Sequence, residues 1–330
     1  MDINALANQL ATPHKLGRLV LAPSGREEDF DSHGVDVPFP FRHNGKLYMT
    51  YVGFDGKGYR TGWAESEDGV VWRKKGLMLD YGAPGTPTQC NIALTSILRE
   101  RGLFDAGELV KVHGRYLATW HAYPESGYEQ GKAVIGLAWS DDLRKWELTD
   151  PVLEAEAPWE AASLYKSALF FANGKYYLFY NAKENREWPW HEQIGLAWST
   201  DLKRWHKHPA NPLVTNGLNG APDEQFAADP QVFACQDGFV MFYYGLGKTG
   251  GACELAAWST DLEHWEKLPQ PLISPGPPGS VDSTHAHKPG VIAIDGRLHH
   301  YYCAVALVES NSPSGLTEMR GISLATGFDG

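Results

Sequence analysis

The sequence predicts an all-β fold, a five-bladed β-propeller closed by pairing of its N- and C-terminal strands. Three observations predict it. A tryptophan-bearing segment recurs along the chain. A glycine turn followed by an aromatic strand recurs five times. The last repeat lacks a strand that the start of the chain resembles.

The tryptophan segments read GLAWSDDLRKWELTDPVL at 136–153, GLAWSTDLKRWHKHPANPLV at 195–214 and AAWSTDLEHWEKLPQPLI at 256–273. A looser copy, GWAESEDGVVWRKKGLML, lies at 62–79. Their leading tryptophans, Trp63, Trp139, Trp198 and Trp258, are spaced by 76, 59 and 60 residues. Fixed periodicity of this kind marks a repeat architecture. The glycine turns are HNGKLYMTY, VHGRYLATW, ANGKYYLFY, QDGFVMFYY and IDGRLHHYY, carrying Gly45, Gly114, Gly174, Gly238 and Gly296. Asn-Gly and Asp-Gly between apolar runs are hairpin signals. Each unit therefore reads as strand, glycine turn, strand, loop, strand, Asp-containing turn, strand. Four strands in about 60 residues make a propeller blade.

The last unit ends in RGISLATGFDG, which matches a third strand only. HKLGRLVLAPSG at 14–25 parallels HWEKLPQPLISPG at 264–276, so the N-terminal strand is expected to complete the fifth blade and cover its edge. Residues 14–330 thus form one propeller domain, and residues 1–13 a tail with a helical turn that caps it or meets a second copy in a homodimer. Leu94 to Leu103 is expected as a short helix or loop. Two β-sandwich domains are the alternative to this architecture.

Composition narrows the function. The 330 residues include twelve Trp and 12% aromatics, which excludes a disordered chain. Acidic residues number 40 against 29 basic ones, a net charge of −11, the wrong sign for a whole-surface nucleic-acid binder. No apolar run reaches the ~18 residues of a membrane span, and the N-terminus lacks the regions of a signal peptide, so a cytoplasmic location is expected. Cys90, Cys235, Cys253 and Cys303 show no metal or redox spacing and read as buried thiols.

In a propeller the first strand of each blade lines the central channel. Counting back nine residues from each hairpin glycine reaches Asp36, Asp105, Tyr165, Asp229 and His287. Asp is depleted in strands, so three at one position point to a polar site on the axis. Buried carboxylates that share a site split in pKa, which separates an acid from a base. The alternative is that these side chains cap turns or hold a central ion or water.

The repeated A-W-S-[TD]-D-L-x-x-W units, VDVPFPFRHNGKLYMTYVGFDG at 35–56, FAADPQVF at 226–233 and HAHKPGVI at 285–292 resemble the five-bladed propeller glycoside hydrolases of families 43, 32, 117 and 130. The resemblance covers essentially the whole chain. Family 43 places a Glu in the ring and family 32 uses an EC motif; neither is present in register. Asp, Asp and His in blades one, four and five are most similar to family 117, whose members act on 3,6-anhydro-L-galactosides.

The resemblance implies an exo-acting, inverting glycoside hydrolase on plant or algal oligosaccharides that needs no cofactor. Asp36 is assigned as general base. Asp229 and His287 compete for the general acid, His287 because nearby carboxylates favour its protonated form. Ligation of a central divalent ion such as Ca²⁺ is the other reading of His287. Sugar recognition is assigned to His33, Asp55, Asp105, Trp120, His121, Lys166, Glu184, Trp188, Trp190, Gln231, His285 and Lys288. Trp188 and Trp190 stand in the insertion KENREWPWHEQ and break the repeat, whereas the four leading tryptophans recur and read as packing. A phosphorylase similar to family 130 would use Lys166, Lys288, His285 and Arg42 for phosphate. A lectin-like propeller would repeat its binding residues, and these do not repeat.

Overall fold

The computed structural model describes residues 3–308 and 317–327. After the helix Ile3–Leu10 the regular structure is strand apart from one short 3₁₀ turn, and the strands form five antiparallel units, of which the third and fourth join into one sheet through a single parallel pairing of Glu192 with Phe226. Unit one comprises Gly34–His43, Lys46–Phe54, Tyr59–Ser66 and Trp72–Leu79. Unit two comprises Ala93–Ile97, the short Lys111–Val112, Arg115–Ala122, Val134–Ser140 and Glu147–Leu153. Unit three comprises Ser163–Ala172, Lys175–Lys183, Glu192–Ser199 and His206–Lys207. Unit four comprises Phe226–Cys235, Gly238–Leu246, Cys253–Ser259 and Glu266–Lys267. Unit five comprises His285–Ile294, Arg297–Leu307 and Glu318–Thr326, followed in its sheet by the N-terminal strand His14–Leu21.

That last pairing places Leu19 opposite Ser323 and Leu21 opposite Ile322. A recurring ionic staple identifies the N-terminal strand as the fourth strand of unit five. In unit one, a buried Asp31 accepts from Tyr51 Oη at 3.1 Å and from Lys74 Nζ at 2.6 Å. Unit four repeats this with Asp223, Tyr243 and Lys267, and unit three with Glu160, Tyr180 and Lys207. In each case the lysine comes from the fourth strand. In unit five, Asp282 takes Tyr302 at 3.0 Å and Lys15 of the N-terminal strand at 2.5 Å.

The first strands of the units contact one another in cyclic order, one to two, two to three, three to four, four to five and five back to one. Apolar clusters fill the spaces between neighbouring sheets. The leading tryptophans of units two, three and four pack on these clusters, and Trp63 stacks on Tyr48 at 5.6 Å. The A-W-S-[TD]-D-L segments form side-chain-capped turns: Asp142, Asp201 and Asp261 each accept two backbone N–H groups, and Ser140, Ser199 and Ser259 accept that of the following leucine. Their recurrence is architectural. The N-terminal helix buries Leu6 and Leu10 in the core between units four and five, against Phe233, Val240 and Leu298.

Three expectations change. Of Leu94 to Leu103, expected as a short helix or loop, Leu94–Ile97 belong to the inner strand Ala93–Ile97 and residues 98–103 are loop, the start of an insertion over 98–110 that runs on to unit four, where Leu103 N donates to Ala234 O. Because of that insertion, the nine-residue count in unit two stops short of the inner strand. Asp105 lies exposed in the insertion and caps Gly102 N, away from the axis. In unit four the count is one residue off. The other hairpins turn on a pair such as Asn44–Gly45, with φ of 51° and 74°. In unit four the turn is Gln236–Asp237, and Gly238 is already the first strand residue, paired with Cys235.

Candidate active site

Each inner strand carries one extra residue where its pairing shifts register. The shift falls between Asp36 and Phe39, Leu94 and Ser96, Tyr165 and Ser167, Ala228 and Gln231, and His287 and Gly290. In four units the residue at the shift has positive φ: Val37 at 52°, Lys166 at 33°, Asp229 at 56° and Lys288 at 64°. A β-bulge of this kind re-aims a side chain, and left-handed backbone at non-glycine residues is a cost retained at functional sites. By this register Asp36, Leu94, Tyr165, Ala228 and His287 are equivalent. Asp229 is instead the counterpart of Lys166 and Lys288.

The bulges face a central cavity lined by Val37, Val52, Tyr59, His121, Tyr128, Glu129, Tyr165, Lys166, Asp229, Tyr244 and Lys288. A second cavity adjoins it across Val52 and Tyr128, and is lined by His33, Gly34, Asp36, Phe54, Thr317, Glu318 and Arg320. Asp36 and Asp229 are both 2% exposed.

Four donors converge on Asp36. Its Oδ1 accepts from Val37 N at 2.8 Å, and its Oδ2 from Tyr128 Oη at 2.7 Å, Lys288 Nζ at 2.7 Å and Arg320 Nη1 at 3.0 Å. Burial opposes its ionisation, but Lys288 and Arg320 outweigh burial and hold it well below the usual carboxylate range. Three of these donors crowd Oδ2, while Oδ1 takes one and keeps a second acceptor position.

Asp229 differs. Burial pushes its carboxyl up to about 7, against the pull of Lys288 and Lys166 and with help from Glu192 and Asp36. No hydrogen bond to its carboxyl is found among the described residues, and it faces the cavity. Lys166 is itself buried, which lowers its ammonium pKa. Its backbone N–H donates to His121 Nδ1 at 3.2 Å, and burial lowers His121 to about 3, leaving a neutral ring.

His287 is also held neutral. Burial, then Lys288 and Arg320, depress its pKa well below the ordinary value despite the nearby Asp36. Its Nδ1 lies 3.2 Å from Cys303 O, to which it donates, and its ring packs edge-on against Tyr244. It is therefore not poised as an imidazolium acid. No group of three His, Cys, Asp or Glu side chains disposed to hold a metal occurs among the described residues.

The remaining sequence-derived residues divide. Lys166, Lys288 and His121 line the central cavity, and His33 the adjoining one. His285 accepts Ala252 N at 2.9 Å and packs on His287. Trp190 stacks on Phe226, donates to Glu192 and lies over Lys183, while Trp188 stands 63% exposed against it. Glu184 pairs with His191 in the same insertion. Three lie elsewhere. Trp120 is core, its Nε1 bonded to Leu137 O, and Asp55 shapes the turn at Lys57–Gly58 and pairs with Arg60. Gln231 accepts Val291 N beyond the bulges. Sequence reasoning missed Tyr128, Glu129, Tyr59, Tyr244 and Arg320. A signal for the first two existed: PESGYEQG joins the second and third strands of unit two, the same place in the unit as the tryptophan-rich insertion of unit three.

At the other end of the same strands Arg99 lines a small pocket with Phe39, Ser96, Phe170 and Gln231. Arg99 donates to Pro40 O at 2.5 Å and Val291 O at 2.8 Å, between the rings of Phe39 and Phe233.

Comparison with known proteins bears on this site. The family described as glycosyl hydrolases family 32 N-terminal domain matches residues 102–305. A 1,2-beta-oligomannan phosphorylase of Thermoanaerobacter sp. strain X514 is 27% identical over 220 residues, 66% of this chain and 64% of that protein. A beta-1,2-mannobiose phosphorylase of the same organism is 36% identical over 86 residues, 26% of this chain and 28% of that protein. The matches thus span less than two thirds of the length of these curated relatives. Among solved structures, BT0996 in an RGII complex superposes with a TM-score of 0.83 at 28% identity, covering 99% of this chain and 95% of that one. A family 117 glycoside hydrolase from the marine bacterium Zobellia galactanivorans shares the fold, with a TM-score of 0.66 at 18% identity over 97% of this chain and 92% of that one.

Proposed function

We propose, on the premise that the protein belongs to the family of the glycosyl hydrolases family 32 N-terminal domain, that it is an exo-acting, inverting glycoside hydrolase of oligosaccharides. The five units are read as blades of one closed propeller, supported by the cyclic contacts of the inner strands and by the staple through Lys15. One observation carries the chemistry: Asp229 is a buried carboxyl raised to about 7, facing a polar cavity on the axis.

Glycoside hydrolysis needs an acid that protonates the leaving oxygen and a carboxylate on the other side of the ring. A general acid works best with a pKa near the operating pH, and Asp229 has one. It holds a proton at neutral pH and, once ionised, is stabilised by Lys166 and Lys288. Asp36 is assigned a positioning role, since the cations that hold it well below the usual carboxylate range make it a weak base. It fixes Lys288, Tyr128 and Arg320, and with them the wall between the two cavities. Neutral His287 supports Tyr244.

Tyr59 and Tyr165 line the cavity with hydroxyls that have no partner among the described residues, and they are assigned to the sugar's hydroxyls. Trp188 and Trp190 are assigned as a stacking platform for the units that follow.

A second reading, phosphorolysis, is favoured by the names of the two curated relatives. It requires cations free to hold phosphate. Lys288 is bound to Asp36 together with Arg320, which leaves Lys166 as the one cavity lysine without an ion pair among the described residues and favours water as the acceptor. Incubation with plant, algal and mannose-based oligosaccharides, with and without phosphate, decides between the two. Phosphate-independent release of a terminal sugar, with NMR showing the inverted anomer first, is the expected result. Release that requires phosphate replaces hydrolysis by phosphorolysis, and no release from any substrate defeats the reading.

A further inference from the structure

We infer that Glu129, on the loop between the second and third strands of unit two, is the second catalytic carboxylate and acts as the general base. The inference rests on the hydrolase reading, in which Asp36 leaves the base unassigned. Glu129 lines the central cavity together with Asp229. Unlike Asp36, it is only half-buried, and the one side-chain partner it has among the described residues is Lys183 Nζ, at 3.4 Å. Its remaining acceptor positions are available to water.

The loop is built to hold this carboxylate in place. Glu129 has φ of 59°, a conformation a glutamate keeps only when its surroundings impose it. Tyr128, beside it, is tied to Asp36, while Gly127 N donates to Lys57 O and Asn91 Nδ2 donates to Glu125 O. Lys183, 5% exposed, lies over the rings of Tyr123, Tyr165 and Trp190 and pins the carboxylate from the unit-three side. The burial-raised hydroxyls of Tyr59, Tyr123, Tyr165 and Tyr244 are raised further by Glu129, which locates its charge amid the tyrosine wall.

The step balances without a co-reactant. Water's oxygen forms a bond to C1 while its proton passes to Glu129. The C1–oxygen bond to the leaving group breaks, and that oxygen takes the proton of Asp229. Solvent then returns a proton to Asp229 and removes one from Glu129.

The test uses the full chain and an aryl glycoside of the sugar that the wild-type enzyme releases. Glu129→Ala is expected to lower kcat by ~10²–10⁴-fold with KM within a few-fold. Added azide is expected to restore turnover in Glu129→Ala, yielding a glycosyl azide of inverted configuration, and not to restore Asp36→Ala. Glu129→Gln, which keeps the side chain's size, should be as slow and unrescued. Near-wild-type activity in Glu129→Ala, azide rescue of Asp36→Ala instead, or retention of the anomer by the wild type would overturn the inference. An inactive wild type would defeat the hydrolase reading itself, a distinguishable outcome.

Discussion

The inner strands of units one and four each present a carboxylate to the axis, and the two have the same exposure but opposite character. Asp36 lies before its bulge and meets two cations, a tyrosine and a backbone N–H; it stays ionised. Asp229 lies on its bulge and meets no donor among the described residues; it stays protonated up to about pH 7. Burial raises both carboxyls and so does not by itself distinguish them. The donors within hydrogen-bond reach do, and a one-residue difference in position along equivalent strands decides which donors those are.

Breaking each carboxylate tests that contrast, and the largest effect is expected on turnover. Asp229→Asn should lower kcat by ~10²–10⁴-fold on a natural oligosaccharide and much less on an activated aryl glycoside, whose leaving oxygen needs little protonation. Equal losses on both would remove Asp229 from the acid role. Asp36→Asn should act on the fold instead. It strands Lys288 and Arg320 without their anion, and breaking a buried pair costs ~3–5 kcal/mol, read from denaturant unfolding. An unchanged midpoint would show that the cluster around Asp36 is not the anchor described here.

The two residues also oppose one another in pH dependence. Asp229 has a folded pKa of about 7 against an ordinary 3.8, so the folded state binds the extra proton. Stability is therefore lost as pH rises from about 4 through 7, by up to about 4 kcal/mol. Asp229→Asn removes that loss and should unfold at higher denaturant than wild type above pH 7, with the gap closing towards pH 4. Asp36 has the opposite sign: its contribution is present above the unfolded pKa and is lost as pH falls through its depressed folded value. The smallest effect belongs to the rim. Trp188→Ala should raise KM for a longer oligosaccharide by roughly 2–10-fold, the worth of one aromatic contact, and leave a monosaccharide aryl glycoside unchanged.

Most of the fold was legible because it repeats. The AWSTDL turns, the hairpin glycines and the missing last strand each report the same unit, and the structure adds the staple whose fourth copy uses Lys15. The site was legible only in part, because function sits where the repeat is broken. Asp36, Lys166 and Lys288 were found by counting within regular units. Asp105 was placed on the axis because the insertion after Ile97 lengthens unit two unseen, and Gly238 shifted Asp229 by one position. Trp120 was drawn towards the sugar although it fills the core. Tyr128, Glu129 and Arg320 have no repeated counterpart, and the meeting of Tyr128 from unit two and Arg320 from unit five at Asp36 of unit one is a contact across units that spacing along one unit does not encode.

The claim that Asp229 holds a proton at neutral pH can be measured without knowing the sugar. Infrared spectra of wild type and Asp229→Asn, subtracted across a pH series, isolate this carboxyl from other buried acids such as Glu254. A protonated-carboxyl band is expected in the wild type, disappearing with a midpoint near 7 and missing from the variant. A band that is already gone at pH 5, leaving Asp229 ionised alongside Asp36, would contradict it.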